Sequence, residues 1–234
     1  MSNNDIHYLK SRKETLLKWI KMMPTSQKIC IKNILCVNSG DGTLDKQVIQ
    51  QLQNVKNYYI IQSDYNNYQS CIQNLFGNFK FKISYSDLVD YEFSSCILYD
   101  VIVFFDGMNN INEASSFIKL CSKFINKNGK LWIFTHENKG CLNSIKKSLG
   151  INDKLLRNSL NDINCHIFNS YIPTFINVNK LDINSLSKIL RKECDDNDLR
   201  KFQLNAIENY GEFISIPISI IILSNFIQET KYSI

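Results

Sequence analysis

The stretch Asn33-Ile34-Leu35-Cys36-Val37-Asn38-Ser39-Gly40-Asp41-Gly42-Thr43-Leu44-Asp45 decides the fold. From Ile31 to Val37 the chain is short, apolar and β-branched, which reads as a strand buried on both faces. Asn38 to Thr43 is a turn, and Leu44 to Leu52 returns to helical spacing. A tight glycine turn at the carboxyl end of a first strand lets backbone approach a ligand closely. The helix that follows offers its N–H groups there. A dinucleotide site would want GxGxxG, and the third glycine is missing. A phosphate-binding P-loop would want GK followed by Ser or Thr, also missing. The turn is therefore either a nucleoside-type site or a structural turn with no ligand.

Working outward, strand and helix alternate. Tyr58–Ile61, Phe79–Tyr85, Asp100–Phe105 and Lys130–Thr135 read as strands, separated by helical runs at Tyr65–Phe76 and Asn112–Ile125. On the second of these, Ala114, Phe117, Ile118, Cys121 and Phe124 share one face. Asp106-Gly107 and Asn128-Gly129 read as turns. Ahead of the first strand, residues 5–23 are helical in spacing and Pro24 ends them. This alternation calls for a parallel sheet with helices on both faces. The last third is less regular: helices at Leu142–Leu149, Asp153–Leu160, Leu181–Leu190 and Asp198–Asn209, a strand at Cys165–Ile172, and one long strand at Phe213–Leu223.

Composition narrows the classes. The chain has 234 residues, 44% hydrophobic and 21% charged, a globular balance that argues against disorder. No apolar run reaches the ~18 residues of a membrane span, and no signal-peptide pattern opens the chain. The eight cysteines are scattered, without a CxxC pair, and read as reduced cytoplasmic thiols. Net charge is +5, with the basic residues spread along the chain, so a nucleic-acid partner is not expected. Phe79-Lys80-Phe81-Lys82 reads as a half-wet strand before it reads as a base-stacking platform. Asparagine is about one residue in eight while alanine is nearly absent. Functional glycines and acids can therefore stand as Asn or Gln.

The GxG turn without a third glycine of the dinucleotide type is similar to that of class I S-adenosylmethionine-dependent methyltransferases. In such enzymes an acid at the end of strand two accepts both ribose hydroxyls. Here Gln62 stands there, followed by Ser63 and Asp64. An amide oxygen accepts one hydroxyl but lacks charge and a second carboxylate oxygen. Asp64 is either a substitute for the acid or the N-cap of the next helix. Ser86 and Asp87, after strand three, are the place for an adenine contact.

More narrowly, the chain resembles histamine N-methyltransferase and its relatives. The segments that carry the resemblance are the turn with Leu44-Asp45, Ile61-Gln62-Ser63, Asn78-Phe79-Lys80-Phe81 and Tyr99-Asp100-Val101-Ile102. Asn128-Gly129-Lys130-Leu131-Trp132-Ile133, Asp198-Leu199-Arg200 and the closing strand Ile218-Ser219-Ile220-Ile221-Ile222 complete them. The resemblance implies a Rossmann-like α/β fold with a mostly parallel seven-stranded sheet, in a monomer. It implies one domain over residues 1–234. In it, 1–24 form a helix covering the substrate site, 25–136 the cofactor-binding half, and 137–234 the substrate side. S-adenosyl-L-methionine would touch Asn38, Gly40, Gly42, Gln62, Asn67, Ser86, Asp87 and Phe105. Asn38 replaces the family's first glycine and Gln62 its acid.

On the substrate side the resemblance points to His7 and Tyr8 on the first helix, Asp106 after strand four, and Ser215 near the last strand. None of these keeps the family's own side chain, so the acceptor expected is a small amine or imidazole-type molecule other than histamine. Asp106 would orient a cationic amine, or is plain Asp-Gly turn chemistry. His136 ends strand five on the same edge and also reads as a loop histidine. Cys36 reads as core rather than nucleophile. A metal is not expected. The competing reading is a weakened or inactive paralogue that serves as a binding or regulatory protein, motivated by Asn38 and Gln62. A protein or nucleic-acid methyltransferase fits less well, because Phe105-Asp106-Gly107-Met108 stands where an Asn-Pro-Pro-Tyr motif would.

Overall fold

The computed structural model describes residues 14, 16–77, 80–86, 91, 97–105, 114–136, 141–150, 160, 165–172, 175–190, 193–215 and 218–224. Residues 16–22 form helix α1, and Thr25–Cys30 forms α2 with Pro24 as its N-cap. Proline fits there because its fixed φ suits a helix start, so Pro24 closes one helix and opens another that the spacing did not predict.

Seven strands make the main sheet: β1 Asn33–Val37, β2 Asn57–Gln62, β3 Phe81–Tyr85, β4 Tyr99–Phe105, β5 Ile125–His136, β6 His166–Ile172 and β9 Ile218–Ser224. Their order is β3-β2-β1-β4-β5-β9-β6. Neighbours from β3 through β5 run parallel, and β9 runs antiparallel between β5 and β6. Helices α3 (Thr43–Gln51), α4 (Tyr65–Leu75) and α5 (Ala114–Ser122) are the crossovers. This is the Rossmann-like class I methyltransferase topology, as expected.

The alternation of side chains along each strand feeds two cores. Ile34 and Cys36 of β1, with Val101, Val103 and Phe105 of β4, pack under α1, α3 and α4. Leu35 and Val37, with Ile102 and Phe104, pack under α5 through Phe117, Ile118 and Cys121. Each such side chain, fully buried, contributes on the order of 1.5–3 kcal/mol. A third core joins α6 (Cys141–Ser148) to helices Ile183–Leu190 and Asp196–Tyr210 and to a small two-stranded antiparallel sheet, β7 Phe175–Asn177 with β8 Phe213–Ser215. Among the described residues no helix is long and apolar enough to cross a membrane. The described cysteines are free thiols.

Two readings of the sequence need correction. The run Phe213–Leu223 is not one strand. It divides into β8, in the two-stranded sheet, and β9, in the main sheet. Proline at 217 cannot donate to a ladder, which is the signal in the sequence for two strands rather than one. Ser215 therefore pairs with Phe175 and does not lie on the last strand of the main sheet. Asn128-Gly129 is not a turn between helix and strand either. It lies inside β5, where the register with β4 shifts between Tyr99↔Ile125 and Val101↔Lys130. A Cβ on Gly129 would sit 2.5 Å from Ile125 Cγ2 and 2.8 Å from the Tyr99 carbonyl oxygen. The glycine permits a β-bulge that no side chain could enter.

Candidate active site

The carboxyl ends of β1, β2, β4 and β5 meet at one edge of the sheet, where open α/β sheets bind ligands. At the end of β1 the backbone turns through three left-handed positions: Asn38 at φ 56°, Gly40 at 94° and Gly42 at 85°. Asn38 is the one residue with a side chain among them, and Asn tolerates this region better than most. Its Oδ1 accepts from the Ser63 N–H (3.2 Å) and hydroxyl (3.1 Å), and its own N–H donates to the Ile61 carbonyl (2.9 Å). Asn38 thus laces the ends of β1 and β2 together, a contact that glycine could not make. Gly42 allows close approach to α4, since a Cβ there would lie 3.2 Å from Cys71 Cα. Nothing lies within 4 Å of a Cβ added at Gly40, which is needed for its backbone alone.

Gln62 ends β2 and is buried. Its Nε2 donates to the Gly40 carbonyl at 2.7 Å and approaches Ser39 Oγ at 3.3 Å. The Cys71 thiol also donates to the Gly40 carbonyl, at 2.9 Å. The Gln62 Oε1 is buried and has no hydrogen-bond partner. Turning the amide over would set oxygen against the Gly40 oxygen, so the orientation follows from the bonds. A buried acceptor without a donor is costly. A hydroxyl donor is what it lacks, and a ribose hydroxyl supplies one. The residues present therefore fit a nucleoside, with one hydroxyl accepted where a carboxylate would accept two.

Beneath the turn lies a polar cluster that the sequence did not single out. Asp45, in the first turn of α3, is fully buried. Ser39 Oγ donates to its Oδ2 at 2.5 Å. The Tyr58 hydroxyl and Cys36 thiol also face this carboxyl, while no well-formed hydrogen bond reaches Oδ1. Burial raises the Asp45 pKa above the ordinary carboxylate value, and the Ser39 hydrogen bond only partly offsets it. Burial likewise pushes the Cys36 thiol and Tyr58 hydroxyl well up, with the Asp45 charge adding to it. Cys36 is thus a protonated core thiol, as the sequence suggested. The folded chain holds the Asp45 proton more tightly than the unfolded one. The contribution of Asp45 to stability is therefore present in full below the unfolded carboxyl pKa of about 3.9 and is lost as pH rises through the folded value. Asp45→Asn should remove that loss. Melting temperature against pH for both proteins checks this, and parallel curves would count against it.

The remaining expected residues are distributed as follows. Asp64 is the N-cap of α4, accepting from the Asn67 N–H at 2.7 Å, so it serves the helix rather than standing in for the acid. Asn67 is half-buried one turn into α4, and the Ser86 N–H donates to the Gln62 carbonyl at 3.1 Å. These two share the carboxyl edge with Asn38, Gly40 and Gln62. Phe105 ends β4 and stacks on Phe134 at 5.1 Å, buried in the core. His136 ends β5 opposite Ile218. His7, Tyr8, Asp87 and Asp106 lie outside the described residues. The sequence reading also missed an aromatic face beside Gln62: Tyr65, Tyr68 and Tyr85 pack with ring centroids 5.6–6.3 Å apart, with Tyr65 and Tyr85 exposed. Its signal was available, since two tyrosines three apart begin α4 and a third ends β3. Among the described residues no cluster of His, Cys, Asp or Glu could hold a metal ion.

Solved structures with this architecture are methyltransferases or share their fold. The YcgJ protein of Bacillus subtilis aligns over 92% of this chain and 98% of its own, with TM-score 0.63 and 10% identity. The N-methyltransferase NodS of Bradyrhizobium japonicum aligns over 94% and 98%, with TM-score 0.56 and 9% identity. The plantazolicin methyltransferase BpumL, solved with a desmethyl plantazolicin analogue and SAH, aligns over 94% and 84%, with TM-score 0.51 and 13% identity. No family model matches the sequence, and neither does any curated protein. At these identities the likeness defines the fold: a class I methyltransferase fold.

Proposed function

We propose that the chain is an S-adenosylmethionine-dependent N-methyltransferase acting on a small amine or imidazole-type molecule, similar to the histamine N-methyltransferase group but with another acceptor. The observation that carries the reading is the orphaned Gln62 Oε1 beside the glycine turn, at the edge where this topology binds nucleosides. S-adenosylmethionine would supply an electrophilic methyl group to a neutral nitrogen. Asn38, Gly40 and Gly42 would shape the backbone around the cofactor, Gln62 would accept a ribose hydroxyl, and Asn67, Ser86, Asp87 and the backbone of Phe105 would border the nucleoside. Asp106 would orient the acceptor amine, with His7, Tyr8 and Ser215 on the substrate side. Much of the rate in such a displacement comes from positioning, so no dedicated base is required. The same reading carries a single-domain monomer working in the cytoplasm, with no nucleic-acid partner.

One observation favours a second reading. Gln62 is turned inward onto Gly40, and Asn38 spans to Ser63, so the turn is held by its own side chains. A paralogue with weakened cofactor grip, kept as a binding or regulatory protein, would have these features. Calorimetry with S-adenosylmethionine and S-adenosylhomocysteine separates the two. One-to-one binding is expected, followed by methyl transfer in a screen of biogenic amines and imidazoles. No heat at millimolar cofactor would remove the enzyme reading.

A further inference from the structure

A cavity of about 530 Å³ opens at the amino ends of the strands, on the opposite edge of the sheet from the glycine turn. That volume is in the range of small-molecule pockets. Ile31, Val101 and Trp132 give it an apolar lining, and Met23 and Cys30 close it from the α2 side. Trp132 is 1% exposed, and its Nε1 is buried without a hydrogen-bond partner. Buried indole N–H groups usually have one. Asp100 also lines the cavity, but its oxygens are engaged. Oδ2 accepts from the Lys32 and Asn33 N–H groups at 2.7 and 2.8 Å, and Oδ1 accepts from Asn126 Nδ2 at 2.5 Å. These bonds and the crowded Gly129 fix the bulge that forms the rim. Lys127 and Lys130 stand on that rim. Neither is bonded to a described residue, so two lysines border a cavity whose lining is partly apolar.

We propose that this cavity is a second ligand site, taking a small organic anion with an apolar body. The anionic group meets Lys127 and Lys130, and the body lies against Ile31, Val101 and Trp132. The site is independent of cofactor binding, because the two edges lie at opposite ends of the strands.

The test uses 8-anilinonaphthalene-1-sulfonate, an aryl body with one sulfonate, titrated into the intact Trp19→Phe protein. Of the two tryptophans only Trp132 then reports. One-to-one quenching of Trp132 is expected, unchanged by saturating S-adenosylhomocysteine. Lys127→Gln with Lys130→Gln should weaken it roughly tenfold, since charge-assisted contacts are lost. Absence of quenching, equal affinity in the double variant, or displacement by S-adenosylhomocysteine would each overturn the proposal. Failure of the cofactor to bind would leave this site's outcome readable, so the two proposals fail separately.

Discussion

Gly129→Ala should lower the melting temperature by roughly 6–12 °C, if the chain folds at all. The added Cβ would meet Ile125 Cγ2 at 2.5 Å, the Tyr99 carbonyl oxygen at 2.8 Å and the Asn126 carbonyl oxygen at 3.0 Å. Two of these neighbours are backbone, one of them in β4, so relief requires shifting the ladder itself. Overpacking of this kind costs about 3 kcal/mol. In a domain of this size each kilocalorie moves the midpoint by roughly 2–4 °C. Thermal unfolding followed by circular dichroism measures it. Gly150→Ala is a fitting control, because a Cβ there meets nothing within 4 Å, although its φ of 69° carries some backbone strain of its own. A midpoint for Gly129→Ala no lower than that of the control would mean the bulge is looser than its contacts imply.

Gln62→Glu should have opposite effects on the free and the loaded protein. In the free chain a carboxylate loses the 2.7 Å donation to the Gly40 carbonyl and sets oxygen against oxygen in a buried site. That costs on the order of 1–3 kcal/mol. With S-adenosylhomocysteine present, the same carboxylate can accept both ribose hydroxyls as charge-assisted bonds. Such bonds exceed neutral ones by about 1 kcal/mol, so the dissociation constant should tighten roughly five- to tenfold. A lower melting temperature alone and a tighter complex by calorimetry are the expected pair. If affinity falls, Gln62 does not face a ribose, and the nucleoside reading of this edge goes with it.

The parallel half of the sheet was legible for a physical reason. Strands buried on both faces must be apolar throughout, so Ile34–Val37 and Val101–Phe105 announce themselves. The apolar face of α5 was also legible, since Phe117, Ile118 and Cys121 do pack where their spacing put them. The bulge was not. Asn128-Gly129 has the composition of a turn, and only the crowding around Gly129 distinguishes a bulge from one. The division of Phe213–Leu223 was hidden because its apolar alternation continues across Pro217 while the partner changes from β7 to β5 and β6. At the site, the glycine turn and Gln62 could be found from their position at strand ends. Asp45 could not, because an acid in the first turn of a helix ordinarily sits in water near the helix dipole. Its burial against Ser39, Tyr58 and Cys36 depends on residues from β1, β2 and the turn converging.

The antiparallel strand between β5 and β6 also fixes an order of assembly during synthesis. Ile218–Ser224 leaves the ribosome after both of its neighbours. Strands β1 to β5 can pair with one another as they emerge, but β6 has no partner in the sheet until β9 arrives. In that interval Leu131, Ile133 and Ile167 belong to open strand edges, the kind of surface that chaperones hold and that aggregates when they do not. Slow translation between Ile172 and Ile218 would lengthen the exposure, and a nascent chain stalled there would leave the β5 edge and both edges of β6 unpaired.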